Sequence, residues 1–321
     1  MKKQLSDFGS LSPAEETLRD AVQRGVFARV SDNVPDSPAP KVKIRASFIR
    51  YLALGGCDAC RPAAPGVQVF GAWIDGDGDP DWPTRGLYLD GAELCGDLYL
   101  FHCHVPNAIH AYGARAKTLG LDRSYLMNGL EADRLQAEGN VFLRQSSIAA
   151  TVRLVDAFIG GSFECDGATL RAEVGENALV ADRLQAAGGV FLRQAEINGT
   201  VRLSGSRLGG SLSCAGAKIR AADSDYALLA QNLKANGALF LRDGAVLDGT
   251  LDLRGAEFGA IVDDHTCWPQ PGNLLLDRFR YGAILGGPVD AESRLKWLAL
   301  QDPSLFGEDF WPQPYEQLAK V

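Results

Sequence analysis

The residues best able to do chemistry stand in short clusters. The run "GGCDACRP" offers Cys57 and Cys60, and "FHCHV" offers His102, Cys103 and His104. Cys57, Cys60, His102 and His104 would suffice for a tetrahedral zinc site. In an extended segment, however, His102 and His104 share one side and Cys103 takes the other. No second CxxC completes the set, so ordinary thiols and imidazoles are the expectation. The run "DDHTCWP" supplies one more pair, His265 and Cys267, equally unsupported. In "DGDGDPDW", Asp75, Asp77, Asp79 and Asp81 alternate as in the first half of a calcium loop. Pro80 then stands where such a loop needs Gly, and Gly86 where it needs Glu. The stretch reads as an acidic surface turn.

For catalysis, the histidines are His102, His104, His110 and His265, and none has a serine or cysteine in a recognisable nucleophile elbow. Asp133/Arg134 and Asp182/Arg183 could serve a polysaccharide-cleaving β-helix with carboxylates on one face. Their counterparts in a third copy are Gln231/Asn232, and recurrence of this kind points to corner hydrogen bonds or a solvated face. No catalytic residue, metal or cofactor is assigned. A carbohydrate-active or metal-dependent β-helix enzyme stands as the alternative to a binding module.

The chain has 321 residues, 36 of them Gly, and a net charge of −8. That balance disfavours a basic nucleic-acid or membrane surface, and direct nucleic-acid binding is not expected. Seven cysteines and no apolar leader suggest a reducing cytoplasm. No run is long enough to span a membrane.

The positioning elements are announced by a repeat. "ADRLQAEGNVFLRQ" (132–145), "ADRLQAAGGVFLRQ" (181–194) and the looser "AQNLKANGALFLRD" (230–243) place Leu135, Leu184 and Leu233 at intervals of 49. Within each unit, apolar pairs recur at steps of eleven: Val190/Leu192, Val201/Leu203, Leu212/Cys214, followed by single apolar Ile197, Leu208 and Ile219. Apolar-x-apolar is the alternation of a very short strand with one buried face. Four such faces per turn make each 49-residue unit two coils of about 22 residues plus one insertion. The fold class is thus an all-β solenoid, a quadrilateral parallel β-helix of about eight to nine coils. Cys165 and Cys214 fall on equivalent inward positions two coils apart, roughly 9–10 Å, beyond disulfide reach. The third copy slips by one residue, since Leu239 to Leu251 spans twelve.

These repeats, with "IRASFIRYLALGG", "GAWIDG", "LLLDRFRY" and "WPQPYEQLA", resemble a bacterial family related to pentapeptide-repeat proteins. The resemblance implies a right-handed coil with helical ends and no agreed function. Some relatives carry the label "membrane-associated oxidoreductase". No GxGxxG between strand and helix, and no CxxC in a thioredoxin-like βαβ setting, supports that label here. Relatives run on past "QPYEQLA", which implies that this chain is a shortened form.

Three regions follow: a helical arm and cap at 1–64, the solenoid at 65–285, and a helical segment at 286–321. Ser12, Pro13 and Glu15 announce a helix through a capping box. A second helix near Ile44 to Leu54 would close the stack with Phe48, Ile49 and Leu52. Asp290 to Gln301 would cap the other end with Leu295, Trp297 and Leu298 inward. On the paired-strand face the outward column is predicted to read Tyr88, His110, Phe142, Glu164, Phe191, Ser213, Phe240. Arg144, Arg193 and Arg242 run beside it, and Arg153 and Arg202 on another face. Exposed Phe flanked by Arg suits a protein interface. The segments "KTLGLDRSYLMN", "RAEVGEN" and "RAADSDY" read as insertions on one edge, made acidic by Glu173, Glu176, Asp223 and Asp225. The functional expectation is a non-enzymatic scaffold binding a macromolecule, most simply a protein, through its flat faces or loop edge. Imitation of DNA is a narrower version of that reading. Self-association through coil ends or the C-terminal segment is a further expectation.

Overall fold

The computed structural model describes residues 3–76, 86–173, 175–221, 226–301 and 312–321. They form a parallel β-solenoid of about eight coils, and among the described residues every strand pairs in parallel with one in the coil above or below. Each coil visits four faces. In one complete turn these are Val141–Phe142 (face one), Ser147–Ile148 (face two), Val152–Arg153 (face three) and Phe158–Ile159 (face four). Phe163–Glu164 then returns to face one, beside Val141–Phe142. Among the described residues, faces two and three are sheets of nine strands each. Faces one and four merge into one 16-stranded sheet, because Lys234–Leu241 and Glu257–Asp263 run unbroken around the corner between them.

Packing explains the 49-residue period. On face one the first inward residue runs Val141, Phe163, Val190, Leu212, and the second runs Leu143, Cys165, Leu192, Cys214. Where the first is larger, the second is smaller. Face four repeats the device. Its inward column is Ala137, Ile159, Ala186, Leu208, Ala235, while the residues two before are Leu135, Ala157, Leu184, Ser206, Leu233. One coil alone would stack equal sizes on each other and leave voids or clashes; two coils of opposite pattern interdigitate. The buried cysteines are the small members of that alternation. Alternating coil lengths add to it. Val141 to Phe163 spans 22 residues and Phe163 to Val190 spans 27, the excess lying in "RAEVGEN" between faces two and three. The segment "RAADSDY" joins the same two faces. "KTLGLDRSYLMN" does not: it holds the ordinary strands Leu119–Gly120 and Tyr125–Leu126, so it is regular coil rather than an insertion. The one-residue slip sits in the turn at Asp243 and Gly244, both in the left-handed region (φ 60° and 76°).

Helices close both ends. The first, α1 (Pro13–Arg24), starts at Ser12, whose hydroxyl accepts the Glu15 amide, with Glu15 reaching back to the Ser12 amide. The second, α2 (Ala46–Ala53), buries Phe48, Ile49 and Leu52 completely. Arg45 joins them, donating to both carboxylate oxygens of Glu15 at 2.7 and 2.8 Å. At the far end, α3 (Ala291–Leu298) buries Trp297 and Leu298, but Leu295 is 51 % exposed. The helix is shorter than its sequence suggested, and Arg294 takes the inward position instead. Its guanidinium pairs with Asp263 at 2.6 and 2.8 Å, both groups being buried, and Trp268 Nε1 donates to the same carboxylate at 2.7 Å. A short α4 (Gln313–Leu318) follows. None of the helices is long and apolar enough to cross a membrane, among the described residues.

Two outcomes follow. Leu184→Ala should cost about 2–5 kcal/mol in urea unfolding, as a buried Leu deletion does. The volume-conserving double variant Leu184→Ala/Ala186→Leu should not recover that loss, because it stacks large on large beside Ile159 and Leu208; a rescue would sink the alternation. Burial works to raise the Glu15 carboxyl, yet hydrogen bonds from Arg45 and the Ser12 amide outweigh it and hold the group below its usual value. Stability from a lowered carboxyl is present above the unfolded value and lost as pH falls through the folded one. Protection factors in α1, with the intrinsic pH dependence of exchange divided out, should therefore fall on acidification in the wild type, while in Glu15→Gln they should be low already and respond little.

Candidate functional site

The sheet formed by faces four and one carries most of the predicted site residues. Its face-one outward column reads Tyr99, Gly120, Phe142, Glu164, Phe191, Ser213, Phe240, Val262. Phe142, Phe191 and Phe240 thus share one column as predicted. Tyr88 and His110 do not belong to it. They lie on face three, in register with Glu131 and Arg153, where His110 Nδ1 meets Glu131 at 2.9 Å. Both faces have the same apolar-x-apolar pattern, and nothing in the pattern tells one from the other. Gln68 and Tyr99 precede Gly120 in the true column, and Tyr99 lies over Gly120: a Cβ there would stand 2.2 Å from its ring. The N-terminal arm reaches this end, with Phe27 6.3 Å from Tyr99.

The three phenylalanines are half-buried. Arg144 lies over Phe142 at 4.1 Å and Arg193 over Phe191 at 4.9 Å. Glu164 stands between those rings in the column. Burial pushes its carboxyl up, opposed by Arg144, whose guanidinium is 3.6 Å away. Two of the three rings, Phe142 and Phe191, are thus overlaid by arginines of their own coils.

The arginine rows have a structural task. Asp122 accepts the Arg144 amide at 2.8 Å and its guanidinium at 2.7 Å. Asp166 does the same for the Arg193 amide and side chain. On face three, Asp133 accepts the Val155 amide and the Arg153 guanidinium, and Asp182 the Ser204 amide and the Arg202 guanidinium. Each Asp thus binds backbone and arginine of the next coil. Corner hydrogen bonding is the role of Asp133 and Asp182, while Arg134 and Arg183 occupy left-handed turn positions (φ 58° and 57°). Arg242 differs: it pairs with adjacent Asp243 at 3.1 Å.

Face four was not singled out by the sequence pattern, yet it is the more accessible half of the sheet. Phe158 is 50 % exposed there. Arg115, Arg207 and Arg280 stand on the same face, and their guanidinium groups make no hydrogen bond or ion pair among the described residues. A shallow, open depression of about 530 Å³ is lined by Gln185, Arg207, Lys234 and Asn236 around Ala187 and Gly209. Its floor is low because glycines form the corner. A Cβ at Gly209 would meet the Ala187 carbonyl oxygen at 2.1 Å. The available signal was the residue just before each single apolar one: Gln136 and Gln185 in two copies, Phe158 and Arg207 in the coils between.

The remaining candidates are dispersed. Glu173 and Glu176 are exposed on the edge between faces two and three, whereas Asp223 and Asp225 lie outside the described residues. So do Asp77, Asp79 and Asp81; Asp75 is held by Lys43 at 2.6 Å. His102 packs against Phe70 and Phe101, each 4.9 Å away, and His104 stacks on Trp73 at 4.1 Å. Cys57 and Cys60 adjoin each other in the N-terminal cap. Among the described residues no three His, Cys, Asp or Glu side chains converge on a position fit for a metal. No family model, curated protein or solved structure matches the chain.

The corner pairs predict an asymmetry. Asp182 is buried and serves a backbone amide, so Asp182→Ala should cost about 1–3 kcal/mol. Arg202 is half-buried and serves no backbone amide, so Arg202→Ala should cost under about 1 kcal/mol. Equal losses in denaturant titration would mean that the ion pair, not the amide, matters.

Proposed function

We propose that the chain is a non-enzymatic β-helical scaffold, pentapeptide-repeat-like in its coil, that docks a protein partner on the joined faces four and one. The observation that carries this reading is the continuity of that surface. Exposed Phe158, uncommitted Arg207 and the half-buried Phe column lie on one sheet, separated only by a glycine corner that lets a partner approach the backbone. Aromatic and Arg side chains supply much of the anchoring energy at protein interfaces. Unpaired cations favour a partner with acidic groups, which would also be steered by them.

The narrower idea of DNA imitation draws less support. Such a surface needs a row of unneutralised acids, and the Asp rows here are bound to Arg. The enzyme alternative draws none from the depression on face four, whose lining has no carboxylate to act as acid or base.

Affinity capture from a bacterial lysate tests the proposal, using folded variants matched by circular dichroism. A partner bound by wild type and lost by Phe158→Ser/Arg207→Glu would place docking on face four. Loss with Phe142/Phe191/Phe240→Ser would place it on face one. A partner retained by both variants would remove the joined sheet as the docking surface.

A further inference from the structure

The N-terminal cap holds a pair of thiols arranged differently from every other cysteine in the chain. Cys57 and Cys60 bracket a single 3-10 turn, Asp58–Cys60, just after α2. Their sulfurs are 2.8 Å apart, close enough to share a proton. The Cys57 amide donates to Cys60 Sγ at 3.2 Å, and Tyr51 Oη lies 3.6 Å from the same sulfur. Cys57 is half-buried and open to solvent, whereas Cys60 is wholly buried. The turn is tethered on both sides: the Ala63 amide donates to Val22 at 2.8 Å, and Gln23 Nε2 donates to the Ala59 carbonyl. Hydrogen bonding from Cys60 and Tyr51 lowers the Cys57 thiol, while burial raises that of Cys60.

By contrast, Cys103, Cys165 and Cys214 are fully buried among apolar residues, and burial pushes the Cys103 and Cys214 thiols up to about 12. They fill space. Cys95 is exposed, but its amide and sulfur face the end of α2, and among the described residues no second thiol lies within bonding distance of it. Only at Cys57 and Cys60 does an accessible sulfur meet a buried one in a turn short enough to be bridged.

We propose that Cys57 and Cys60 form a redox-responsive dithiol–disulfide pair that reacts once per chain, without turnover, with small accessible disulfides, with Cys57 as attacking and Cys60 as resolving thiol. The Cys57 thiolate attacks one sulfur of a disulfide RSSR; a Cys57–SR bond forms, the RS–SR bond breaks and one RS⁻ leaves. Cys60, giving up its proton to solvent or the departing thiolate, then attacks Cys57 Sγ. The Cys57–Cys60 bond forms and the second RS⁻ leaves. Overall, protein dithiol plus RSSR gives protein disulfide plus two RSH. Nothing in this depends on the docking surface, since the cap and the joined sheet carry different residues.

The test uses the full chain and oxidised glutathione as the probe, with alkylation at set times and mass spectrometry of the peptides. Wild type should lose two alkylatable thiols, Cys57 and Cys60, and retain no glutathione on either; reduction should restore both. Cys60→Ser should trap one glutathione on Cys57, whereas Cys57→Ser should leave Cys60 unmodified. Cys95→Ser should match wild type at the pair, and Tyr51→Phe should slow attack several-fold if its circular dichroism is unchanged. Stable glutathione on wild-type Cys57 with Cys60 still free would overturn the proposal. So would a Cys57 no more reactive than Cys95, or first modification at Cys60.

Discussion

The in-register parallel hydrogen bond between coils is the constraint from which the rest of this structure follows. Neighbouring coils are held at about 4.8 Å, so each residue sits directly over its counterpart one turn away. Side chains then meet partners of nearly the same position and must fit by size. Val141 below Phe163, with Leu143 below Cys165, is one solution; Leu184 beside Ala186, between Ala157/Ile159 and Ser206/Leu208, is its counterpart on face four. The two-coil period is a consequence of this fit rather than of any chemistry in the repeated segment.

The same hydrogen bonding leaves two open ends, where a coil has a partner on one side only. Both ends are closed by a helix locked through a carboxylate–arginine pair: Glu15 with Arg45 at the start, Asp263 with Arg294 at the finish. A buried pair gains little over well-packed apolar groups, but losing one partner strands a charge, so such pairs punish misplacement. At these ends the helices bury Phe48, Ile49, Leu52, Trp297 and Leu298.

Much of this was legible in the sequence because stacking imposes periodicity that a reader can count. The four faces, the 49-residue unit, the capping box at Ser12 and Glu15, and the inward Cys165 and Cys214 all emerge from spacing alone. What stayed hidden depended on which face a pair belongs to. Leu87–Tyr88 and Leu98–Tyr99 read alike, yet one opens onto face three and the other onto face one. Leu295 was misplaced because helical spacing gives an apolar side but not its orientation to the coil, and a buried Arg294 reverses the usual polarity. The contact between the sulfurs of Cys57 and Cys60 depended on the turn after α2, which no period reveals.

A repeat also tells where to look for function, by the opposite of its own logic. Residues that recur at the coil period, such as Asp133, Asp182, Arg153 and Arg202, are explained by the coil: each carboxylate binds the amide and guanidinium of the next turn. Their charge is spent within the wall, so a partner gains little by competing for it. A departure from the pattern has no such explanation. Phe158 stands where the flanking coils place Gln136 and Gln185, and Arg207 stands in the same column without an acid to pair with. An exposed phenyl ring and an unpaired guanidinium each leave attraction unused in the free protein. Covering them would bury apolar area and neutralise charge without breaking any bond the solenoid needs. Phe142 and Phe191 on face one lack that freedom, since Arg144 and Arg193 already lie over their rings and a partner must first displace them. Face four is thus where binding would cost the fold least.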